Sequence, residues 1–531
     1  MLPKTQLNSS FRVLLQTPMS ESTIIDLSDI DESEDGKDLY PFQEESIQMI
    51  SDKLNELKDN HNILFQLPTG GGKTVIFSEI ARRYIKATEK KVLILTHRIE
   101  LCKQTSRMLS EFGVNNQIID SKVKSVEDGN DYTCFVAMVE TLNNRLQDEK
   151  VTLNNLGLVI VDEAHYNSFR KLFKYFDDVN ILGVTATPLS SSIKLPMNEN
   201  YEELVIGESI SSLVNKGYLA KATTYSYNVR LDSLKVGING DYTVKSSEQL
   251  YGNYMMQEKL VRAYEEKSQG KKTLIFNNGI ATSYGVYDTF KAAGYEIQHL
   301  DHHAGEQERR DILRWFKETP DAILTSVGIL TTGFDEPTVE TIILNRATRS
   351  LALYHQMIGR GSRVLPAKKE FTVIDLGNNL HRFGLWDSPV DWYHIFQSPH
   401  QYYDDLKSDD IIERQFVYQM PDDLKEKFSK SDDISFDVKA EYEAAMNQGI
   451  HSKIVIQKSI DQHVRMCIEN AESDMWDALD LAKLLKDDIQ DRIKHYSYCT
   501  IKTTKNYLVW LEEDYTRRLN TQIRKEYISN D

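Results

Sequence analysis

Cysteine is scarce in this chain. There are four thiols in 531 residues, Cys102, Cys134, Cys467 and Cys499, and no two of them form a C-x-x-C pair. That spacing indicates neither a zinc finger nor a disulfide framework, and it fits reduced thiols in a cytosolic-type compartment. An excess of positive charge is also missing. The formal net charge of −17 argues against a protein that coats nucleic acid non-specifically, although a local basic groove depends only on where the cations sit. Long apolar runs are lacking too: no uncharged stretch approaches a membrane span, and the first residues lack a signal peptide's apolar core. The expectation is a soluble intracellular protein. Its composition is that of ordinary globular proteins, 40% hydrophobic and 27% charged, over a length that implies about three or four domains.

The most informative stretch is Leu67-Pro68-Thr69-Gly70-Gly71-Gly72-Lys73-Thr74. The apolar run Ile63-Leu64-Phe65 before it reads as a buried strand, and Val75 to Arg83 after it has apolar positions at helical spacing. Strand, glycine loop and helix form the context of a phosphate-binding loop. Glycines let backbone N–H groups approach phosphate oxygens, and the helix start adds its positive dipole end. In such a loop Lys73 reaches the β- and γ-phosphates and the Thr74 hydroxyl ligates Mg²⁺. The G-x-x-x-x-G-K-[ST] pattern is met except at its first position, where Leu67 stands.

Further buried strands alternate with helices. Val92–Leu95 leads into Thr96-His97-Arg98, Cys134–Met138 into Val139-Glu140-Thr141, Leu158–Val161 into Asp162-Glu163-Ala164-His165, and Ile181–Val184 into Thr185-Ala186-Thr187. This alternation predicts a parallel sheet covered on both faces, with ligands at the carboxyl ends of its strands. Every polar cluster just named falls at such an end. Asp162 is placed to hold Mg²⁺ through water, opposite Thr74, and Glu163 to orient and deprotonate an attacking water. Gln43, ahead of the loop, has an amide able to read an adenine edge.

Taken together, Gln43, the Leu67–Thr74 loop, Thr96–Leu101, Asp162–His165 and Thr185–Thr187 resemble the first motor domain of superfamily 2 helicases. The second half agrees. Lys272–Asn277 resembles motif IV, Thr325-Ser326 with Thr331–Pro337 resembles motif V, and Gln356–Arg363 matches the Q-x-x-G-R-x-x-R pattern of motif VI. The resemblance covers roughly residues 39 to 385. It is to the bacterial and phage DEAD/DEAH helicases akin to DNA-repair and type I/III restriction motors, so the host cytoplasm is the expected location for a phage-encoded chain.

The resemblance implies an α/β fold of two tandem RecA-like P-loop domains, with ATP and Mg²⁺ between them, followed by a mainly α-helical C-terminal region. The expected division is an acidic N-terminal segment 1–38, a first motor domain 39–195, a second 196–390 and an accessory region 391–531. Lys73, Asp162, Glu163, Gln356, Arg360 and Arg363 are implied in catalysis, with the two arginines acting on the γ-phosphate when the cleft closes. Gln43, Thr69, Gly70, Gly71, Gly72, Lys73, Thr74, Gly333 and Asp335 are implied at the nucleotide, and Thr74 and Asp162 at the metal. Thr96, His97, Arg98, Thr141 and Thr325 are implied on the nucleic-acid strand, and His165, Thr185 and Thr187 in coupling the two sites. Glu140 stands where family members often carry Gln, and an acid there weakens contact with a phosphate backbone.

The implied function is an ATP-dependent helicase or translocase. The absence of an RNA-helicase accessory domain favours DNA over RNA. The alternatives are a duplex translocase that does not unwind and an ATP-gated clamp that recruits a partner. Outside the motor, Glu21 to Asp38 is acidic around the knot Ile24-Ile25-Asp26-Leu27; the segment resembles a SUMO-interacting motif, is a solvated leader, or is an acidic tail that masks a basic groove. A helix is expected over Glu203 to Leu219, and a loop or hairpin over 229–246. From Ile454 to Ile528 the pattern is strongly helical. Its interleaved bases and aromatics (Lys494, Tyr496, Tyr498, Lys502, Tyr507, Trp510, Arg517, Arg518) suit either a bundle core or a surface for nucleic acid or a protein partner. No nuclease constellation stands out there.

Overall fold

The computed structural model describes residues 27, 38–56, 61–123, 126, 131–331, 334–414, 420–448, 450–472, 474–499 and 505–529. They form two compact units, one ending at Lys407 and the other beginning at Ser408.

The first unit is built on two parallel sheets. One contains β1 (Asn62–Gln66), β2 (Lys91–Thr96), β3 (Asn116–Ile119), β4 (Cys134–Met138), β5 (Leu156–Asp162), β6 (Asn180–Thr185) and β7 (Glu203–Ile206), in the order β3-β4-β2-β5-β6-β1-β7. The other contains β8 (Lys221–Ser226), β9 (Thr273–Asn277), β10 (Ile297–Leu300), β11 (Ile323–Val327), β12 (Thr341–Asn345) and β13 (Glu370–Asp375), in the order β10-β11-β9-β12-β13-β8. Central strands such as β5 and β9 are buried along their whole length. They therefore read as unbroken apolar runs, the mark of a parallel sheet covered by helices on both faces. Among the described residues no helix is long and apolar enough to cross a membrane. The fold is the expected one, tandem RecA-like domains with a helical C-terminal region.

Three boundaries differ from expectation. The segment Glu203 to Leu219 is not one helix: Glu203–Ile206 is a strand and Ile210–Asn215 a short helix. The four residues Glu-Leu-Val-Ile pair beside β1, with Ile63 opposite Glu203, so an open sheet edge overrides the helical spacing. The first sheet consequently runs past residue 195, to Ile206. At the far end, the helix Trp392–Gln397 belongs to the first unit rather than to the accessory region. Trp392 meets His355 edge-on, and Asn198 donates to the Gln397 carbonyl at 3.2 Å.

Leu27, the last residue of the apolar knot, is fully buried. Its N–H donates to Ser51 Oγ at 3.3 Å and its carbonyl accepts from Arg83 at 2.8 Å. This residue is thus bound within its own chain; Ile24, Ile25 and Asp26 lie outside the described residues. The polar stretch 229–246 contains an isolated antiparallel bridge, Val236 with Tyr242. Its Asp241 accepts from Thr348 Oγ1 at 2.7 Å and from the Arg349 N–H at 2.8 Å, which anchors the chain after β12.

The second unit is helical. Lys453–Asn470, Met475–Leu484, Lys486–Cys499 and Lys505–Ser529 pack around Ile460, Cys467, Leu485, Ile489, Leu519 and Ile523. Tyr496 and Tyr515 lie in this core, whereas Trp510 is 51% exposed with the Tyr507 ring stacked on it. Lys502 lies outside the described residues. A buried polar network crosses the bundle: His463 Nε2 meets Asp488 at 2.8 Å, Tyr515 OH meets His463 Nδ1 at 2.9 Å, and Ser459 meets Tyr515 at 2.7 Å.

Candidate active site

The glycine loop leaves the carboxyl end of β1 and starts the helix Lys73–Thr88. Gly70 and Gly72 take φ of 94° and 83°, left-handed conformations that glycine adopts without a Cβ penalty. At Gly72 a side chain would also collide with Gln43, since an added Cβ would lie 2.5 Å from Nε2 of that amide. Gln43 is therefore held at the loop, its Oε1 accepting from the Tyr40 N–H at 3.0 Å. Lys73 Nζ donates to the carbonyls of Leu67 and Pro68 at 3.2 and 3.4 Å, closing the loop on itself.

Asp162 ends β5, opposite Val184 of β6. The next residue, Glu163, takes φ 53°, a conformation uncommon for a residue with a side chain. Its Oε2 is buried without a hydrogen bond and stands 3.4 Å from His165 Nδ1. Burial and the neighbouring Glu163 raise the Asp162 pKa. Burial also works against the Glu163 carboxylate, but Lys73 first, with Arg360, holds it below its ordinary range. Lys73 is pulled down by burial, against the pull of both carboxylates.

The second lobe closes on this group. Arg363 donates to the Gly70 carbonyl at 2.9 Å and pairs with Asp335 at 2.8 Å. Arg360 donates to the Phe334 carbonyl at 2.6 Å and also to Thr331 O. Burial lowers Arg360 to about 10 despite the opposing charge of Glu163. Gly359 approaches Thr69 so closely that an added Cβ would lie 2.6 Å from the threonine Cβ. Gln356 Nε2 lies 3.3 Å from His165 Nε2, and His165 Nδ1 lies 3.0 Å from Thr185 Oγ1. Thr185 donates to the Thr187 carbonyl at 3.0 Å. One hydrogen-bond order satisfies this chain: Gln356 donates to a neutral His165, which donates to Thr185. Burial lowers the His165 pKa and so keeps the ring neutral. Gly333 lies outside the described residues.

The residues assigned to the nucleic-acid strand divide. Thr96 and Thr325 are buried, and their hydroxyls are used internally. Thr96 bonds the Arg98 carbonyl and Cys102, while Thr325 bonds Asn277 and Ser283. Both hydroxyls are thus engaged inside their own lobes, Thr96 by the turn and helix that follow β2 and Thr325 by β9 and the helix Ile280–Ala292. His97, Arg98 and Thr141 are half-buried. Arg98 reaches across the lobes to the Ile329 carbonyl at 3.2 Å. The acid at Glu140 is compensated by an ion pair with Lys171. Lys368, which sequence reasoning missed, donates to three backbone carbonyls beside Arg363; no motif marks it.

Two parallel sheets, a glycine loop on the first and an arginine from the second bonded to that loop define a two-lobed fold of the tandem RecA-like class. Residues 36–190 match the family described as type III restriction enzyme, res subunit, and residues 255–364 match the helicase conserved C-terminal domain. A 51.5 kDa protein of a Lactococcus phage is 29% identical over 340 residues, 63% of this chain and 70% of that protein. IRC3 of Saccharomyces cerevisiae, assigned as an ATP-dependent helicase, is 29% identical over 356 residues, 64% of this chain and 51% of the yeast protein. The EcoKI type I restriction endonuclease subunit of Escherichia coli K12 is 25% identical over 400 residues, 63% of this chain and 34% of the subunit. The chain thus spans about half of one relative and a third of another. A fragment assigned as an HsdR subunit of a type I restriction enzyme from Vibrio vulnificus shares the fold, with a TM-score of 0.52 at 19% identity over 66% of this chain and 67% of that one. Over these two segments the chain is similar to superfamily 2 helicases, among them those related to restriction-enzyme motors.

Proposed function

We propose that this protein is a DEAH-type ATP hydrolase that moves along nucleic acid, DNA in preference to RNA. The observation that carries the reading is the 2.9 Å hydrogen bond from Arg363 of the second lobe to Gly70 in the phosphate-binding loop. A guanidinium held there is available to a γ-phosphate only when the lobes are together, which ties hydrolysis to closure. The cradle suits a triphosphate. Gly70 and Gly72 present backbone without side chains, Lys73 supplies the cation, and Gln43 lies against the loop's end. Thr74 and Asp162 offer the oxygen donors that Mg²⁺ takes, and the ion would supply positive charge against the phosphate oxygens.

Glu163 is the group that orients water and accepts its proton, because nearby cations keep it ionised and its buried oxygen has no other hydrogen bond. The Gln356–His165–Thr185–Thr187 chain carries the state of the cleft into the first lobe, and Asp335 holds Arg363. His97, Arg98 and Thr141 are the candidates for strand contact. The preference for DNA rests on the restriction-type relatives and on the res-subunit match. The same relatives support a second reading, movement on duplex without strand separation. Partners through the C-terminal bundle belong to the clamp alternative, which deletion of residues 408–531 followed by pull-down tests.

The expected outcome is ATP hydrolysis stimulated by DNA and abolished by Lys73→Ala or Glu163→Gln, with Glu163→Gln still binding ATP. Turnover measured across single-stranded DNA, duplex DNA and RNA, beside strand- and triplex-displacement assays, separates the readings. A purified protein with no ATPase on any nucleic acid would falsify the proposal.

A further inference from the structure

Motif V and motif VI meet along a seam that one side chain outside both motifs holds shut. Lys368 follows Arg363 by five residues, beyond a tight turn in which Leu365 and Lys368 exchange backbone hydrogen bonds at 3.0 Å. The residue is 7% exposed, and its ammonium donates to the carbonyls of Gly361 at 2.7 Å, Arg363 at 2.9 Å and Pro337 at 2.9 Å. Three N–H groups meet three carbonyls, so the donor capacity of a charged lysine is fully used. One acceptor is the carbonyl of the arginine that reaches Gly70, another lies two residues before it, and the third lies two residues after Asp335, which holds that arginine. The stem is fixed as well: Nζ sits 5.9 Å from the Phe371 ring centroid, and the same ring closes on Gly361, where an added Cβ would lie 2.3 Å from it.

We propose that Lys368 is a positioning residue for the arginine pair, setting the place of Arg363 relative to the phosphate-binding loop through the carbonyls of Arg363 and of Gly361 just before it. This rests on the reading of Arg363 as the group that acts on the γ-phosphate. The clamp requires charge. A neutral amine has two N–H groups and a lone pair, so deprotonation would turn that lone pair toward a carbonyl oxygen and open one of the three bonds. The groups facing it are Glu336 and Glu340 from the segment leading into β12, which favour the charged form, and Arg363 from its own loop, which opposes it. Lys272 shares the same two carboxylates. Burial outweighs them and brings Lys368 down to about 8, so the clamp opens within an accessible alkaline range.

The test uses the full-length protein with Lys368→Met, Lys368→Arg, Arg363→Ala and the Arg363→Ala/Lys368→Met double variant. Thermal melting and the DNA-stimulated kcat and KM for ATP are measured between pH 6.5 and 9.5. The expected result is a kcat for Lys368→Met at least about tenfold lower, with KM within about threefold. The double variant should match Arg363→Ala within about twofold, because the lysine acts only through that arginine. Wild-type kcat should fall above about pH 8, and Lys368→Met and Lys368→Arg should lack that limb. If Lys368→Met does not fold, Lys368→Gln and the Lys368→Arg profile carry the same comparison. Full kcat in Lys368→Met, or losses that add to those of Arg363→Ala, would overturn the inference while leaving the hydrolase reading intact. An inactive wild-type protein would instead remove the hydrolase reading and this inference with it.

Discussion

Glu163 and the loop glycines depend on backbone conformations that most side chains avoid. Glu163 sits at φ 53° immediately after β5, and this turn takes its carboxylate out of the strand's alternation and into the cleft. Strain of this kind costs on the order of 1–3 kcal/mol, and the packed sheet on which it sits supplies the restraint. Gly72 shows the opposite solution, left-handed backbone with no side chain at all. Gly72→Ala is expected to lose about 1–2 kcal/mol of stability and to push Gln43 aside. The KM for ATP should then rise on the order of tenfold. A melting curve together with ATP kinetics checks both parts, and an unchanged KM would mean that Gln43 does not touch the nucleotide. The loop's chemistry was legible residue by residue because Lys73 and Thr74 follow Gly72 directly. The burial of Thr96 and Thr325 was not, since whether a threonine faces solvent or a neighbouring element depends on what packs beside it.

At the scale of elements, the helical bundle from Ser408 onward buries a histidine whose surroundings favour the neutral ring. Burial, then Arg492, lowers His463 to about 4 from an ordinary 6.5, against the pull of Asp488. Tyr515 donating to Nδ1 and Nε2–H donating to Asp488 leave no place for a second ring proton. The folded state therefore refuses a proton that the unfolded chain accepts. Stability from this residue is present above pH 6.5 and is lost as pH falls toward 4, to at most on the order of 3 kcal/mol. Asp488, also held below its ordinary range, contributes in the same direction at still lower pH. Denaturant unfolding of the full chain should show the bundle weakening through this window, and His463→Gln should flatten the slope between pH 6.5 and 4. An unchanged slope would assign the acid sensitivity to carboxylates elsewhere. Helical spacing announced the bundle, but not the pairing of His463 with Asp488 across two of its helices. The same limit explains Glu203–Ile206: four apolar-rich residues serve a strand or a helix equally well, and a neighbouring sheet edge decides between them.

Within the first unit, the two lobes meet through contacts with little tolerance. Thr69 stands against Gly359, Arg363 against Gly70, Arg98 against the Ile329 carbonyl, and Gln356 against His165. Gly359 is the most diagnostic of these, because its φ of −57° is open to any residue while its position against Thr69 is not. Gly359→Ala should leave stability within about 0.5 kcal/mol and lower kcat by up to about a hundredfold, the scale of a misplacement near 1 Å. Steady-state turnover beside thermal melting measures this. A fully active Gly359→Ala would mean that hydrolysis does not need the approach seen here.

The sequence by itself determined the strand–loop–helix order around the glycine loop and marked Lys73, Glu163, Gln356 and Arg363, which the fold later brings together. Those features depend on local spacing and on the chemistry of single side chains. Only the tertiary structure decided that Arg363 reaches Gly70 across 293 positions of chain, that Lys368 clamps the loop bearing it, and that Leu27 belongs to the first unit's core. Each of these is a contact between surfaces formed by different elements, and its energy exists only once those elements have packed.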